Sequence, residues 1–401
     1  MKENPPSYRL LAIASSALLA TLLYCGLFHV ARMAFPTDPD FTCFYRAGRM
    51  VLAGRGADVY NLAAEQAFDT SLKAQLSAPG KPFYTRPFVF PPPTLLIFGP
   101  LAALPYHAAD LIWLGLNIAI LLAASTYLSN ALVLGTGARC VAILLPSLFL
   151  PVTWAMAEGQ TSIVLLGIFS MLFVSLYRHR NFAAGCCIAL TAIKPQFTLP
   201  VLLLALASRN WRALRGFALT SSGLLLVSFY LVGWRATLEF PSTLMAYSRL
   251  PVSWNGQLGE HPLDMPNIRG IGLNLFSAPV GRQAGIALAT GLCLLLLWAT
   301  YRASAGEVTR WFSAFLVVSL LVSYHVYPHD MAILALALPL LLYSAALTGW
   351  TPTLTTLASA ECALLLVPFV WLAERQRSES YFLLLIAVLI QACGPILCAE
   401  V

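Results

Sequence analysis

The stretch from Leu10 to Val30, LLAIASSALLATLLYCGLFHV, decides the fold class of this chain. Its 21 residues include no lysine, arginine, aspartate or glutamate. A helix needs ~20 apolar residues to cross the hydrocarbon core of a bilayer, so we predict a membrane-spanning helix over residues 8–33. The run is too long for the apolar part of a cleaved signal peptide, so we expect a retained helix with its N-terminus inside.

The composition of the whole chain also indicates that most of the protein lies in the lipid bilayer. Only 10% of the 401 residues are charged and 59% are hydrophobic, with a mean hydropathy of +0.76. A soluble domain carries roughly 25% charged residues, so this composition excludes a soluble globular protein and a disordered chain. The net charge of +7 has the sign expected from basic residues at cytoplasmic helix ends, so the charge itself says nothing about nucleic acid. We expect no nucleic-acid partner.

Repeated apolar runs predict an all-α polytopic membrane protein, a single domain over residues 1–401 with about 11–13 membrane helices. The candidate helices cover residues 8–33, 109–132, 138–152, 161–177, 183–207, 213–233, 283–301, 311–325, 330–348, 353–372 and 380–399. A shorter apolar piece, 93–105, is bounded by prolines and cannot cross a ~30 Å core. We expect it to form a re-entrant helix or a helix at the rim.

Short basic loops predict the orientation of these helices. The arginines expected in the cytoplasm are Arg139, Arg178, Arg180, Arg209, Arg212, Arg215, Arg302 and Arg310. The Lys194-Pro195 pair interrupts an apolar run, and proline breaks a helix, so we predict that 183–207 dips in and returns as two half-helices. Loops 34–92 and 235–282 then lie outside, and most unusual polar residues fall on this non-cytoplasmic face.

The first outer loop carries a candidate general base and a candidate interfacial helix. Asp38 and Asp40 follow the first helix, where a carboxylate could act as a base at the lipid boundary or merely cap a helix. Further along this loop, apolar and charged residues alternate with helical spacing, which predicts a short helix lying in the membrane interface. Its apolar face is Leu62, Phe68, Leu72 and Leu76, and its polar face is Glu65, Asp69 and Lys73.

Two apolar regions contain residues suited to binding an anion. Lys194 lies inside an apolar run, where a lysine costs at least ~2.5 kcal/mol and therefore indicates function unless it snorkels to the interface. Residues 158–162 begin a helix, whose free N–H groups can bind an anion. Equally, Thr161 or Ser162 can simply cap that helix.

The segment 324–330 and the second outer loop add further candidates. His325 and His329 are spaced as metal ligands on a helix, but Pro328 interrupts that geometry, so a phosphate contact is the better hypothesis and no metal is expected. Asp330 can cap the next helix. Arg269 can clamp a phosphate bidentately or lie exposed in its loop.

Taken together, these motifs resemble glycosyltransferase family 87, the polyprenol-phosphate-mannose-dependent mannosyltransferases of the GT-C superfamily. The resemblance covers about residues 35–345 in order. It rests on Asp40-Phe41, Phe44-Tyr45, Ala47, Gly54 to Tyr60, Phe90-Pro91-Pro92, Pro100-Leu101, Leu104-Pro105, Gly159-Gln160-Thr161-Ser162, Lys194-Pro195-Gln196, Arg209 to Trp211, and Asp330.

The resemblance implies a GT-C-like bundle with periplasmic loop helices and an aspartate base in the first outer loop. Carried over, that base is Asp40, with Asp38 as the neighbouring alternative. Lys194 with His325 or His329, together with Arg269, would bind the donor phosphate. The substrate pocket would include Asp38, Tyr45, Gln160, Gln196 and Asp330.

The function implied is transfer of a hexosyl residue, mannose in this family, from a polyprenyl-phosphate donor to a lipid or glycan acceptor. One base and an in-line displacement predict inversion, without metal or cofactor. The family places such an enzyme (EC 2.4) in the bacterial inner membrane, with its site facing the periplasm. The competing hypothesis is a lipid or sugar transporter or flippase, although only one broken helix is evident where transporters usually pair two.

Overall fold

The computed structural model of the protein describes residues 6–34, 40–76, 86–247, 265–276, 278–302, 308–337, 339–340 and 343. Asp38 and the predicted helices 353–372 and 380–399 lie outside these residues. Within the described ranges every regular element is helical and no strand occurs, so the predicted all-α class is confirmed.

Fourteen α-helices are present in the described part of the chain. In chain order they are α1 (Pro6–Ala34), α2 (Phe41–Leu52), α3 (Leu62–Leu76), α4 (Leu95–Ala102), α5 (Tyr106–Ala131), α6 (Thr136–Leu144), α7 (Leu150–Glu158), α8 (Ser162–Tyr177), α9 (Asn181–Leu190), α10 (Pro195–Ala207), α11 (Trp211–Tyr247), α12 (Ile268–Leu275), α13 (Ala278–Arg302) and α14 (Val308–Val322). The short helix predicted within 93–105 is confirmed as α4, preceded by a 3-10 turn at Pro92–Thr94, and its re-entrant or rim position stays a prediction.

Three helices in the described part of the chain are long and apolar enough to cross a bilayer. They contain Ser7–Val30, Tyr106–Ala131 and Trp211–Ala246, and a bent pair over 136–158 makes a fourth if it counts as one span. The first helix is thus found where the sequence predicts it. Five further apolar helices of 10–17 residues accompany these, and the predicted total of about 11–13 spans stays a prediction.

Prolines interrupt the segment 138–152, which the sequence analysis predicted to be one continuous helix. The expected helix over 138–152 is wrong: α6 ends at Leu144, a 3-10 turn covers Leu145–Leu148, and α7 departs at 56°. Pro146 and Pro151 explain the break, since neither can donate a backbone hydrogen bond. As a result, α7 extends to Glu158 and delivers that residue to the site described below.

Three other predicted boundaries differ from or refine the sequence analysis. Lys194 has an extended backbone between the 3-10 turn at Thr191–Ile193 and Pro195, which begins α10, so the predicted break is confirmed. The helix expected to end at 233 kinks at Gly233 (φ +82°) and continues to Tyr247, so the loop predicted over 235–282 starts as helix. The helix predicted from 330 begins as a 3-10 segment, Pro328–Leu336.

The first predicted loop has an aromatic core of its own. The rings of Phe44 and Phe98 stack at 4.2 Å, and Phe98 packs against Trp113 at 4.7 Å. These contacts join α2 and α4 to α5, and all three side chains are almost completely buried. The core therefore anchors the start of α2, which carries Asp40, against the membrane helices.

The predicted polar face of α3 is wrong. Leu72 is buried as expected, but Glu65 is also buried, with 2% of its side chain exposed, and lies 2.9 Å from the guanidinium of Arg46. Asp69 accepts a 2.8 Å hydrogen bond from the same arginine. Arg46 is itself buried, and a buried cation needs opposite charges close by, so α3 turns its carboxylates inward.

Candidate active site

Five separate parts of the chain meet around the start of α8. They contribute Asp40 at the start of α2, Arg86 before the proline-rich turn, the α7–α8 junction 158–162, and the pair Lys194 and Asp330. We call Asp40, Arg86 and Gln160 the carboxylate site. We call Lys194, Ser162 and Asp330 the lysine site. Gln160 and Ser162 are two residues apart, so the two sites adjoin.

Asp40 is held by side chains rather than used as a helix cap. Its side chain makes no capping hydrogen bond at α2. The guanidinium of Arg86 lies 3.1 Å from Oδ1, and Gln160 Nε2 donates to Oδ2. Only 8% of the Asp40 side chain is exposed, against 40% for Arg86. The carboxylate is thus fixed in direction, with a solvent-accessible cation on one side.

The environment of Asp40 raises the pKa of its carboxyl above the usual value. Burial is the main cause, and the nearby Glu158 acts in the same direction. The positive charges of Arg86, His329 and Lys194 lower the pKa and so limit the rise. A carboxylate with a raised pKa is a stronger proton acceptor, which suits a general base working near neutral pH.

The α7–α8 junction positions Gln160 through Gly159. Gly159 has a left-handed backbone (φ +69°) and ends α7. A β-carbon at this residue would lie 2.5 Å from the Cβ of Phe41, so only glycine fits. Trp113 Nε1 donates a 2.9 Å hydrogen bond to the Gly159 carbonyl. The junction is therefore locked against α2 and α5.

The lysine site is a closed, fully buried ion pair. Lys194 Nζ donates to Ser162 Oγ at 2.9 Å and to a carboxylate oxygen of Asp330. Ser162 donates to that same oxygen at 3.1 Å, and the Tyr327 N–H donates to the other at 3.0 Å. The capping predicted for Asp330 is confirmed, since it accepts from the backbone at the start of its 3-10 segment, and the same carboxylate also pairs with Lys194. Its place in the substrate pocket stays a prediction.

His329 connects the lysine site to the α7 end. Its Nδ1 lies 2.7 Å from Glu158 Oε2, and its Nε2 lies 3.7 Å from Asp330 Oδ2. The ring is buried, with 6% of the side chain exposed. A protonated His329 therefore makes ion pairs with two carboxylates at once.

The remaining predicted residues support the site from outside. Gln196 Nε2 donates to the His325 carbonyl at 3.1 Å, and Arg269 donates to the Tyr324 carbonyl at 3.2 Å while stacking on that ring at 3.8 Å. These contacts hold the segment leading to His329, and His325 is half-buried there. Tyr45 donates to the Leu104 carbonyl at 2.8 Å and so fastens α2 to the turn that follows α4.

Three charged residues of the site were missed by the sequence analysis as site residues: Arg46, Arg86 and Glu158. Arg46 donates to the Arg86 carbonyl at 2.8 Å, and Glu65 accepts from the Phe88 N–H at 3.1 Å. The buried Arg46 ion pairs therefore fix the backbone that carries Arg86. For Arg86, the one signal in the sequence is its position directly before the proline-rich motif at 87–93.

Two buried polar atoms at the start of α8 have no hydrogen-bond partner among the described residues. They are Gln160 Oε1 and Thr161 Oγ1. Neither Thr161 nor Ser162 caps the helix with its side chain, so the capping alternative is wrong in this structure. The first-turn N–H groups of a helix lack partners within that helix and carry partial positive charge. This end of α8 therefore offers a hydroxyl and N–H groups to a bound polar or anionic group.

Comparison with known families decides the class. The sequence profile described as glycosyltransferase family 87 matches residues 88–328, more than half of the chain. The chain belongs to glycosyltransferase family 87. This family 87 protein is therefore a glycosyltransferase (EC 2.4), and its apolar helices make it an integral membrane protein. No curated protein and no solved structure matches the chain. The matched range includes Gln160 and Lys194, and the geometry above joins them to Asp40, Arg86 and Asp330 outside it.

Proposed function

We propose that this glycosyltransferase transfers a hexosyl residue, mannose by family resemblance, from a polyprenyl-phosphate sugar to a lipid or glycan acceptor. The observation that carries the proposal is the state of Asp40. Its carboxylate is not used as a cap, is aimed by Gln160 and Arg86, and has a pKa raised by burial. These are the properties required of a general base for an acceptor hydroxyl.

The reaction is a single displacement. The acceptor oxygen attacks the anomeric carbon while its proton passes to Asp40. The bond from that carbon to the phosphate oxygen breaks, and the electron pair leaves with polyprenyl phosphate. Because base and leaving group lie on opposite faces of the sugar, the configuration inverts. A phosphate is a weak base, so its departure requires charge stabilisation more than protonation.

The adjoining lysine site and the α8 N-terminus are the proposed phosphate contacts. An ammonium group has three donors, and the described residues occupy two of those of Lys194, at Ser162 and Asp330. The first-turn N–H groups of α8 add partial positive charge at the same place, and the His329 ring lies beside Asp330. His325, in the segment leading to His329, and Arg269 of α12 would contribute to the same phosphate.

The course of the helices supports an extracytoplasmic site. Both α8 and α10 begin at the site, and they end at the turns that carry Arg178 and Arg209. At ~1.5 Å per residue, the 16 residues of α8 span ~24 Å. Arginine clusters favour the cytoplasmic end of a membrane helix, so the opposite end faces the periplasm of a bacterial inner membrane under this proposal.

The experiment that tests the proposal uses the purified chain in detergent with a short polyprenyl-phosphate mannose. We expect Asp40→Asn to lower the release of polyprenyl phosphate about 10²–10⁴-fold, the usual contribution of a general base. Asp58→Asn is the matched control, because Asp58 lies in the same loop but is half-exposed and paired with Arg55. It should retain activity within a few-fold.

Two results would contradict the proposal. The first is an Asp40→Asn protein with activity close to wild type, which would remove Asp40 as the base. The second is sugar movement across sealed vesicles without cleavage of the donor, which would favour the transporter hypothesis. Hydrolysis or transfer by the wild-type protein, lost in Asp40→Asn, supports the enzyme.

A further inference from the structure

The end of the bundle opposite the candidate active site contains a cavity that is wide open to the surface and that the proposed function does not use. It lies where α9 and α11 begin, at Asn181 and Trp211, next to the turn that ends α10. Its volume is about 530 Å³. The lining residues are Asn181, Ser208, Arg209, Asn210, Trp211, Arg212 and Arg215. Three of these are arginines and none is acidic.

Close packing of the two helices brings their N-termini together. A β-carbon on Gly185 of α9 would overlap the Ala213 carbonyl of α11, and one on Gly216 would overlap the Phe182 carbonyl. The backbones therefore approach within a distance that side chains would prevent. The N-terminal ends of α9 and α11 consequently open into one cavity, and both ends favour negative charge.

The arginines of this cavity have no counter-charge in the part of the chain that the structure describes. None of Arg209, Arg212 and Arg215 forms an ion pair with a described carboxylate. All three are exposed. The Asn210 side chain accepts from the Ala213 N–H at 3.2 Å and so caps the start of α11. The cavity thus presents free cationic donors to an outside group.

The position of the cavity identifies the source of the anion. Trp211 begins the apolar helix α11, which is long enough to span a bilayer, and 66% of its side chain is exposed. Tryptophans and arginines at a helix end lie at the level of lipid headgroups. Arginine forms bidentate hydrogen bonds to phosphate, and anionic headgroups attract basic residues at this depth.

We propose that this cavity binds the phosphate of an anionic phospholipid headgroup. The inference is separate from the proposed function, because α8 and α10 put the cavity some 20 Å from the lysine site. Phosphatidylglycerol suits the cavity because its phosphate keeps a net negative charge. The quaternary amine of phosphatidylcholine would be repelled by the same arginines.

The test measures lipid retained by the full chain, using native mass spectrometry after transfer from mixed phosphatidylcholine–phosphatidylglycerol nanodiscs into detergent. We expect wild type to retain phosphatidylglycerol selectively. The variant Arg212→Gln/Arg215→Gln should bind it more weakly, by roughly fivefold for each arginine removed. Arg178→Gln is the matched control, since Arg178 is exposed at the same end but does not line the cavity.

The outcomes separate a specific lipid site from general surface charge. Equal loss in Arg178→Gln and in the double variant would overturn the proposal. Displacement of the lipid by inorganic phosphate alone would assign the cavity to free phosphate and also overturn it. Thermal unfolding in phosphatidylcholine nanodiscs should be the same for all three proteins, because the altered side chains are exposed. Selective loss in the double variant then supports the proposal.

Discussion

The carboxylate site and the lysine site adjoin, yet they differ in how far water reaches them. In the lysine site, Lys194 and Asp330 are 4% and 2% exposed, and every described contact is internal. In the carboxylate site, Asp40 is almost as buried, but its partner Arg86 is 40% exposed. The first pair is therefore shielded from water on the sides that the described residues cover, whereas water reaches the second through Arg86.

This difference predicts two kinds of mutational effect. Breaking a closed, buried ion pair leaves an uncompensated charge and costs stability. Breaking a half-exposed pair costs little stability, because water replaces the lost partner. Changes at the lysine site should therefore appear first as unfolding, and changes at the carboxylate site first as altered activity.

The largest effect is expected for Lys194→Met. This change leaves Asp330 buried without its counter-ion, so the free energy of unfolding should fall by ~3–5 kcal/mol. Thermal unfolding in detergent measures it. The double variant Lys194→Met/Asp330→Asn removes both charges and should regain most of the stability. If Lys194 also binds the donor phosphate, activity will not return with it. A single variant as stable as wild type would mean that the two sites do not differ as described.

A smaller effect is expected for Arg86→Gln. Arg86 lowers the pKa of Asp40, so its loss should raise that pKa. The base must be ionised to work, so the acid limb of the kcat/KM profile should move to higher pH, with roughly tenfold lower activity below neutral pH. Arg55→Gln is the matched control, because Arg55 is 42% exposed in the same loop but pairs with Asp58. An unmoved acid limb in Arg86→Gln would contradict this electrostatic role.

The smallest effect is expected for Glu65→Gln, in the ion pair beneath the carboxylate site. Burial raises the pKa of Glu65 to about 7 from its ordinary 4.5, although Arg46 opposes the rise. A raised pKa means that folding favours the protonated form, so the stabilisation is complete below pH 4.5 and is lost as the pH rises through 7. Glu65→Gln should flatten this pH dependence of thermal unfolding, and it should change stability by only about 1 kcal/mol because Asp69 still pairs with Arg46. A pH profile of thermal unfolding that runs parallel to that of wild type would contradict this prediction.

The sequence predicts the residues that stand out against an apolar background. Asp40, Lys194 and Asp330 are each a charged group in or beside an apolar segment, which is costly unless it serves a purpose. Their arrangement around the α8 N-terminus agrees with the prediction of a shared polar region. The break at Lys194-Pro195 is visible for the same local reason, since proline cannot continue a helix.

The sequence does not reveal pairings between distant residues. Helical periodicity assigns Glu65 to a solvent-facing side only on the assumption that charges face water. Arg46 reverses that assignment from a different helix, because a buried guanidinium draws two carboxylates inward.

The bend between α6 and α7 was not predicted for a different reason. Pro146 and Pro151 are both in the sequence, and applying the proline rule twice would have found it.

Under the proposed mechanism, the exposure of Arg86 affects how much of the donor is hydrolysed by water instead of being transferred to the acceptor. Water that reaches Arg86 reaches the edge of the carboxylate site, and a base that deprotonates an acceptor hydroxyl can also deprotonate water. The sugar–phosphate bond is then open to slow hydrolysis whenever the acceptor is absent. Selectivity for transfer must come from acceptor contacts that crowd water away from the carboxylate, and not from the base itself.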